Sequence, residues 1–151
     1  MNSNTRRKAI GIIVGGLLAV WSVYLFYVPT ALDGTAWRLI EMNGKPPLPD
    51  YPITLGFDPH QGLLGGNSGC NNYWGDYQVI FPGVICYPGG AITLMLCVEP
   101  VQQEEEYLQT IGGIHMFRIS GNNLYIGTRT NPDALIFERI PTNEMPPFWD
   151  Q

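Results

Sequence analysis

Basic residues are scarce in this 151-residue chain once its first 28 positions are passed. Only Arg38, Lys45, Arg118, Arg129 and Arg139 remain there, five positive charges against all thirteen acidic residues, which leaves a formal charge near −8. No basic patch exists to release counterions from phosphates, so nucleic acid and anionic lipid headgroups are not expected partners. Serine is sparse as well, with four in all (Ser3, Ser22, Ser68, Ser120). Ser68 sits in G-N-S-G-C, which lacks the second glycine of a nucleophile elbow. The two histidines are remote from each other; His60 in D-P-H-Q-G and His115 in I-H-M-F-R-I both read as surface or edge positions. No C-x-x-C pair occurs, so a zinc site has no framework. Cys70 as a nucleophile would need a neighbouring base to lower its pKa, and the surrounding residues supply none. Glu104, Glu105 and Glu106 read as a solvated helix face, not as paired catalytic carboxylates or a calcium loop. No catalytic, metal-ligating or cofactor-binding residue is therefore expected, and the chain reads as a non-enzyme.

Against these absences stands one long apolar run. Residues 9–28 carry no charged side chain, and at ~1.5 Å per residue such a helix spans ~30 Å, one hydrocarbon core. Arg6, Arg7 and Lys8 precede it, while Trp21, Tyr24 and Tyr27 cluster toward its far end. That polarity predicts residues 1–8 in the cytoplasm, a transmembrane anchor at 9–28, a linker at 29–34 and the remainder outside the cytoplasmic membrane. A cleaved signal peptide competes, but it needs an apolar region of about 7–15 residues before a small-residue cut site. Here the run is longer, and a cut after Ala31 would place Pro29 at the third residue upstream of it, which fits poorly. A lipid-attachment cysteine would follow the run directly, whereas the first cysteine is Cys70. Whether the segment is cleaved stays open at this point.

The residues beyond the anchor suffice for one modest core. Their pattern is mostly two-residue apolar alternation broken by Gly, Pro and Asn, as in an antiparallel β protein. Trp37 and Leu39 alternate with Arg38, and Ile53, Leu55 and Phe57 share a face. Further strands are predicted at 73–81, 84–87, 92–97, 114–119, 124–127 and 134–140, about eight strands in all. One helix is predicted at 100–111, where Val101, Glu104, Tyr107, Leu108 and Ile111 form a stripe, Pro100 suits the first helical position and Gly112 the stop. The tail at 141–151 is Pro-rich, with Phe148 and Trp149 available to dock.

Gly65, Gly66 and Gly69 suit a bulge or sharp turn within a sheet, and Asn71 and Asn72 tolerate left-handed backbone. A phosphate-cradling loop would need a helix opening after the glycines, often with a lysine. Instead the residues that follow, YWGDYQVIF, read as a strand without one. The three cysteines, Cys70, Cys86 and Cys97, allow three pairings or none.

Residues 66–77 (GNSGCNNYWGDY) and 92–100 (ITLMLCVEP) resemble the META/HslJ family of small bacterial envelope domains. The resemblance rests on Gly66, Gly69, Cys70, Asn71 and Gly75, then Thr93, Met95 and Cys97. An opening GTAWRLIEMNGKPP at 34–47 is also similar to the family's, and the likeness spans 32–140. It implies a small antiparallel β-barrel-like sheet with a single inserted α-helix over 35–140. It also implies a secreted, lipid-anchored or membrane-anchored domain linked with heat shock, antibiotic tolerance or secretion, whose biochemical activity is not established. Cys70 and Cys97 fall at the two motif positions, which implies a disulfide between them and a free, buried Cys86. Its closed loop would stabilise the fold by roughly 3–4 kcal/mol. Asn72 and Leu94 stand where relatives often carry basic residues, so anion binding is not carried over. The expected function is a non-enzymatic envelope or stress-associated binding or support module. It would be anchored in the bacterial cytoplasmic membrane, face the periplasm and recognise an envelope protein through exposed aromatics such as Tyr73, Trp74 or Trp149. The alternative is a carrier holding a small apolar ligand in a barrel cavity.

Overall fold

The computed structural model describes residues 31–144. The expected anchor at 9–28, the segment before it, and Phe148 and Trp149 lie outside the described residues. Among the described residues no helix is long and apolar enough to cross a membrane.

The chain forms a curled antiparallel sheet, a half-barrel, with one α-helix. In order the elements are β1 (Ala36–Met42), β2 (Thr54–Asp58), β3 (Leu63–Asn67), β4 (Asn72–Asp76), β5 (Gln78–Phe81), β6 (Val84–Tyr87), β7 (Ala91–Ile92), α1 (Val101–Ile111), β8 (Gly113–Ser120), β9 (Asn123–Gly127) and β10 (Leu135–Ile140). A 3-10 turn follows at Thr142–Glu144. Strands neighbour one another as β5-β6-β8-β9-β10-β1-β2-β3-β4-β7. The chain links the two ends of that order twice, since β4 runs into β5 across Tyr77 and β6 is followed closely by β7. The sheet therefore curls back toward itself.

Alternation produces the faces. In β8, His115, Phe117 and Ile119 turn inward while Ile114, Met116 and Arg118 turn out. In β1 a bulge between Leu39 and Glu41 adds one residue, which brings Met42 back to the buried side. The core gathers Leu32, Trp37, Leu55, Phe57, Tyr73, Tyr107, Leu124, Leu135 and Phe137. Each such apolar side chain contributes roughly 1.5–3 kcal/mol when removed from water. Leu32 belongs to the expected linker yet is fully buried, and the Gly34 amide donates to the Phe57 carbonyl at 2.9 Å, so the folded unit begins ahead of β1.

Four expectations change. The strand predicted at 73–81 is two, because the ladder breaks at Tyr77 and its halves join opposite ends of the sheet. The glycines at 65 and 66 lie within β3 instead of a turn; a Cβ on Gly66 would overlap the Thr54 carbonyl, so glycine serves close approach of strands there. Of the predicted 92–97 strand only Ile92 enters a ladder, as the end of the two-residue strand Ala91–Ile92. The helix buries Gln103, Tyr107 and Ile111 and leaves Val101 exposed, and Pro100 stands just before its first residue.

Candidate functional site

The motif residues meet where β3 turns into β4, and Asn71 is the hub. Its backbone N–H donates to Glu104 Oε1 (3.0 Å) and its Nδ2 to Glu104 Oε2 (2.9 Å). Its Oδ1 accepts from Thr93 Oγ1 (3.0 Å) and from the Met95 amide (2.7 Å). Its carbonyl accepts from the Ser68 amide at 2.8 Å. One buried side chain thus ties three segments together, and burying it is tolerable because each of its polar atoms is satisfied.

The turn is shaped for this. Gly69 has φ +106°, a conformation side chains disfavour, and a Cβ there would press on Gln103 Nε2 at 3.1 Å. The Asn67 side chain accepts from the Gly69 amide (2.8 Å) and donates to Asn72 Oδ1 (3.0 Å). Gly75, farther along β4, faces Gly89, Gly90 and the Tyr87 ring, which explains a glycine without giving it chemistry. Asn72, at a position often basic in the resembled family, is half-buried, and its amide donates to Thr93 Oγ1 at 3.0 Å.

Glu104 corrects the sequence reading. It is half-buried, not solvated, and it gathers Asn71 and the Ser68 hydroxyl from the first turns of α1, where a carboxylate also faces the positive end of the helix dipole. The neighbouring Gln103 donates from Nε2 to the Tyr51 carbonyl (3.0 Å) and accepts from the Leu48 amide, fastening the β1–β2 loop to the same helix. Spacing could not reveal either role, because their partners lie more than thirty residues away. The Ser68 hydroxyl is fully buried and committed to Glu104 and the Asn71 carbonyl, so it has no route to a substrate.

Beyond Ile92 the chain continues without a ladder as a strap over residues 93–99, bending from Val98 onward. Cys97 reaches back to Cys70 at disulfide distance, with Cα atoms 6.2 Å apart, while Cys86 is free and half-buried on β6. Between those fixings the apolar side chains face solvent: Leu94 is 94%, Leu96 103%, Val98 92% and Met95 62% exposed. Small soluble domains seldom leave such a run uncovered. Beside the strap is a groove of about 300 Å³ lined by Leu48, Pro49, Asp50, Tyr51 and Glu99.

Other candidates move away from the surface. Tyr73 is core, not an exposed recognition aromatic: its hydroxyl donates to the Thr54 carbonyl at 3.0 Å and meets the Tyr107 hydroxyl at 2.5 Å. Burial drives both phenol pKa values well above the ordinary 10.0. Trp74 is half-buried on β4. His115 is buried instead of lying at the surface; its Nε2 is 2.9 Å from the Gly112 carbonyl and its Nδ1 has no partner. His60 is exposed, as expected. Among the described residues no three His, Cys, Asp or Glu side chains converge as metal ligands.

No curated protein matches this chain. Two solved structures are similar to it. An NMR structure of a protein from Burkholderia xenovorans is 28% identical, with TM-score 0.57 over 72% of this chain and 83% of that one. A second NMR structure is 22% identical, with TM-score 0.58 over 74% of this chain and 94% of that one, which shows a shared fold. The family model described as META domain matches residues 30–140. That match takes in the half-barrel, the Asn71 hub and the strap, and the chain belongs to the META domain family.

Proposed function

We propose that this META domain is a non-enzymatic binding or support module of the bacterial cell envelope, tethered through residues 9–28 and facing the periplasm. The strap carries this reading. A protein that holds Leu94, Leu96 and Val98 in water, and fixes them with a cysteine pair and a buried asparagine, presents a preorganised apolar surface. Preorganisation lowers the ordering entropy that binding would otherwise incur. The charge balance favours a protein partner over nucleic acid. The carrier alternative is less well supported, because Trp37, Phe57, Tyr73, Tyr107 and Phe137 fill the space between sheet and helix.

Photo-crosslinking from position 96 in intact cells tests the binding role, with position 60 as the control. One discrete protein adduct at 96 and none at 60 is the expected result. A purified chain that turns over a substrate in a broad hydrolase screen, with activity lost in a site variant, would overturn it. A C-terminal alkaline phosphatase fusion checks the topology, since it is active only if that end reaches the periplasm.

A further inference from the structure

The strap also carries on from β7, the open edge of the sheet. The Thr93 amide donates to the Asn72 carbonyl at 2.9 Å and the Met95 amide to Asn71 Oδ1 at 2.7 Å. In extended chain, successive amides point to opposite sides. The amides of Leu94 and Leu96 therefore point away from β4, and neither has a partner among the described residues. Edges of this kind are ordinarily blunted by lysine, proline or inward charge. Residues 93–98 (TLMLCV) contain none of these.

The groove next to this edge is acidic and lacks a cation. Tyr51 Oη donates to Glu99 Oε2 at 3.3 Å. Its phenol pKa is raised by burial first, then by Glu99, with Asp50 adding to it. The ion pairs among the described residues join Arg38 to Glu138 and Glu144, and Arg118 to Asp133, so none neutralises Asp50 or Glu99.

We infer that the strap receives an extended segment of a partner protein as an added β-strand, with apolar side chains against Leu94 and Leu96 and an Arg or Lys side chain entering the groove between Asp50 and Glu99. This rests on the binding-module reading and specifies its occupant. Backbone bonds along the edge supply affinity in strand addition, and the flanking pocket supplies the choice of side chain.

The test is fluorescence anisotropy of the full-length chain in nanodiscs with short synthetic peptides. One peptide alternates Leu and Thr around a central Arg, one has Glu in place of the Arg, and two copies of the Arg peptide are N-methylated on alternate amides, each along one edge. The Arg peptide should bind, while the Glu peptide and one of the two N-methylated copies should each bind at least about tenfold more weakly. Leu96→Asp should abolish binding. Asp50→Asn with Glu99→Gln should erase the preference for Arg over Glu, with amide NMR spectra showing the fold intact. Binding that survives Leu96→Asp or both N-methylations overturns strand addition. So does strap-dependent binding to phosphatidylethanolamine–phosphatidylglycerol vesicles with no peptide bound, which would assign the strap to a bilayer. Strap-dependent dimerisation with no peptide bound would assign it to a second copy and likewise overturn the inference. If no peptide binds while position 96 still crosslinks to one protein, strand addition fails and the binding module stands; if neither occurs, both fail.

Discussion

Two stretches of chain in this domain are held by opposite means. Through β8, β9 and β10 every strand is laddered on both sides, and alternate side chains enter the core. The strap at 93–99 has no ladder of its own, and the side chains of Asn71 and Thr93 and the Cys70–Cys97 pair hold it from one side. In the first region burial stabilises the backbone and hides the apolar residues. In the second, polar side chains and a covalent link hold the backbone, so the apolar residues need not be buried. That division of labour lets a small domain keep Leu94 and Leu96 in solvent without unfolding.

The comparison breaks most sharply at the core. Leu124→Ala on β9 removes a fully buried side chain, and the fold should lose about 2–5 kcal/mol, read from urea unfolding. A loss below the lower bound would mean that the laddered region does not depend on packing. Next in size is the bridge. Cys70→Ser combined with Cys97→Ser should cost about 3–4 kcal/mol by loop-closure entropy, and proteolysis within the strap should rise. If reductant leaves both unchanged, the polar side chains alone hold the strap.

The laddered half was legible in the sequence and the strap was not, for a physical reason. Alternation encodes which face is buried, so β8, β9 and β10 could be placed from Phe117, Leu124, Ile126 and Phe137. Thr93, Met95 and Cys97 alternate with Leu94 and Leu96 as a strand would, but alternation does not say whether a neighbour supplies the other half of the ladder. Nor does it mark β3, where Gly65 and Gly66 carry no side chain to alternate. The family motif's residues meet in one place, but the motif hides the contact at their centre. Taken locally, Asn71 is a turn residue and Glu104 a solvated one, because their contact joins residues 33 positions apart. Tyr73 looks exposed for the same reason, since its hydroxyl partners, Thr54 and Tyr107, lie 19 and 34 positions away. His115 is different, because its one ring partner, the Gly112 carbonyl, is local and burial comes from the strand's inward face.

Alkaline pH probes the laddered core through its tyrosines. Tyr73 and Tyr107 have pKa values raised in the folded state, so above pH 10 the folded protein holds protons that the unfolded chain has released. Their contribution is whole below pH 10 and is lost as pH rises beyond it, at about 1.4 kcal/mol per pH unit for each phenol. Unfolding free energies measured at rising pH should show this slope, and Tyr107→Phe should reduce it. Smaller again is Asn71→Ala, expected to cost about 2 kcal/mol because Glu104 loses a charged hydrogen bond and the Met95 amide an acceptor. Faster hydrogen exchange at Met95 with unchanged exchange in β9 would place that loss in the strap.

The smallest stability effect makes the sharpest comparison. Leu96→Ala deletes the same atoms as Leu124→Ala, yet Leu96 is fully in solvent and should change stability by no more than about 0.5 kcal/mol. Its removal should instead lower the yield of the crosslink formed from a neighbouring exposed position such as Val98. The two leucines then separate the two regions by measurement, one affecting folding and the other affecting binding. If Leu96→Ala destabilises the domain as much as Leu124→Ala does, the strap packs in solution against part of its own chain. The surface offered to a partner would then be occupied, and both the binding reading and strand addition would have to be given up.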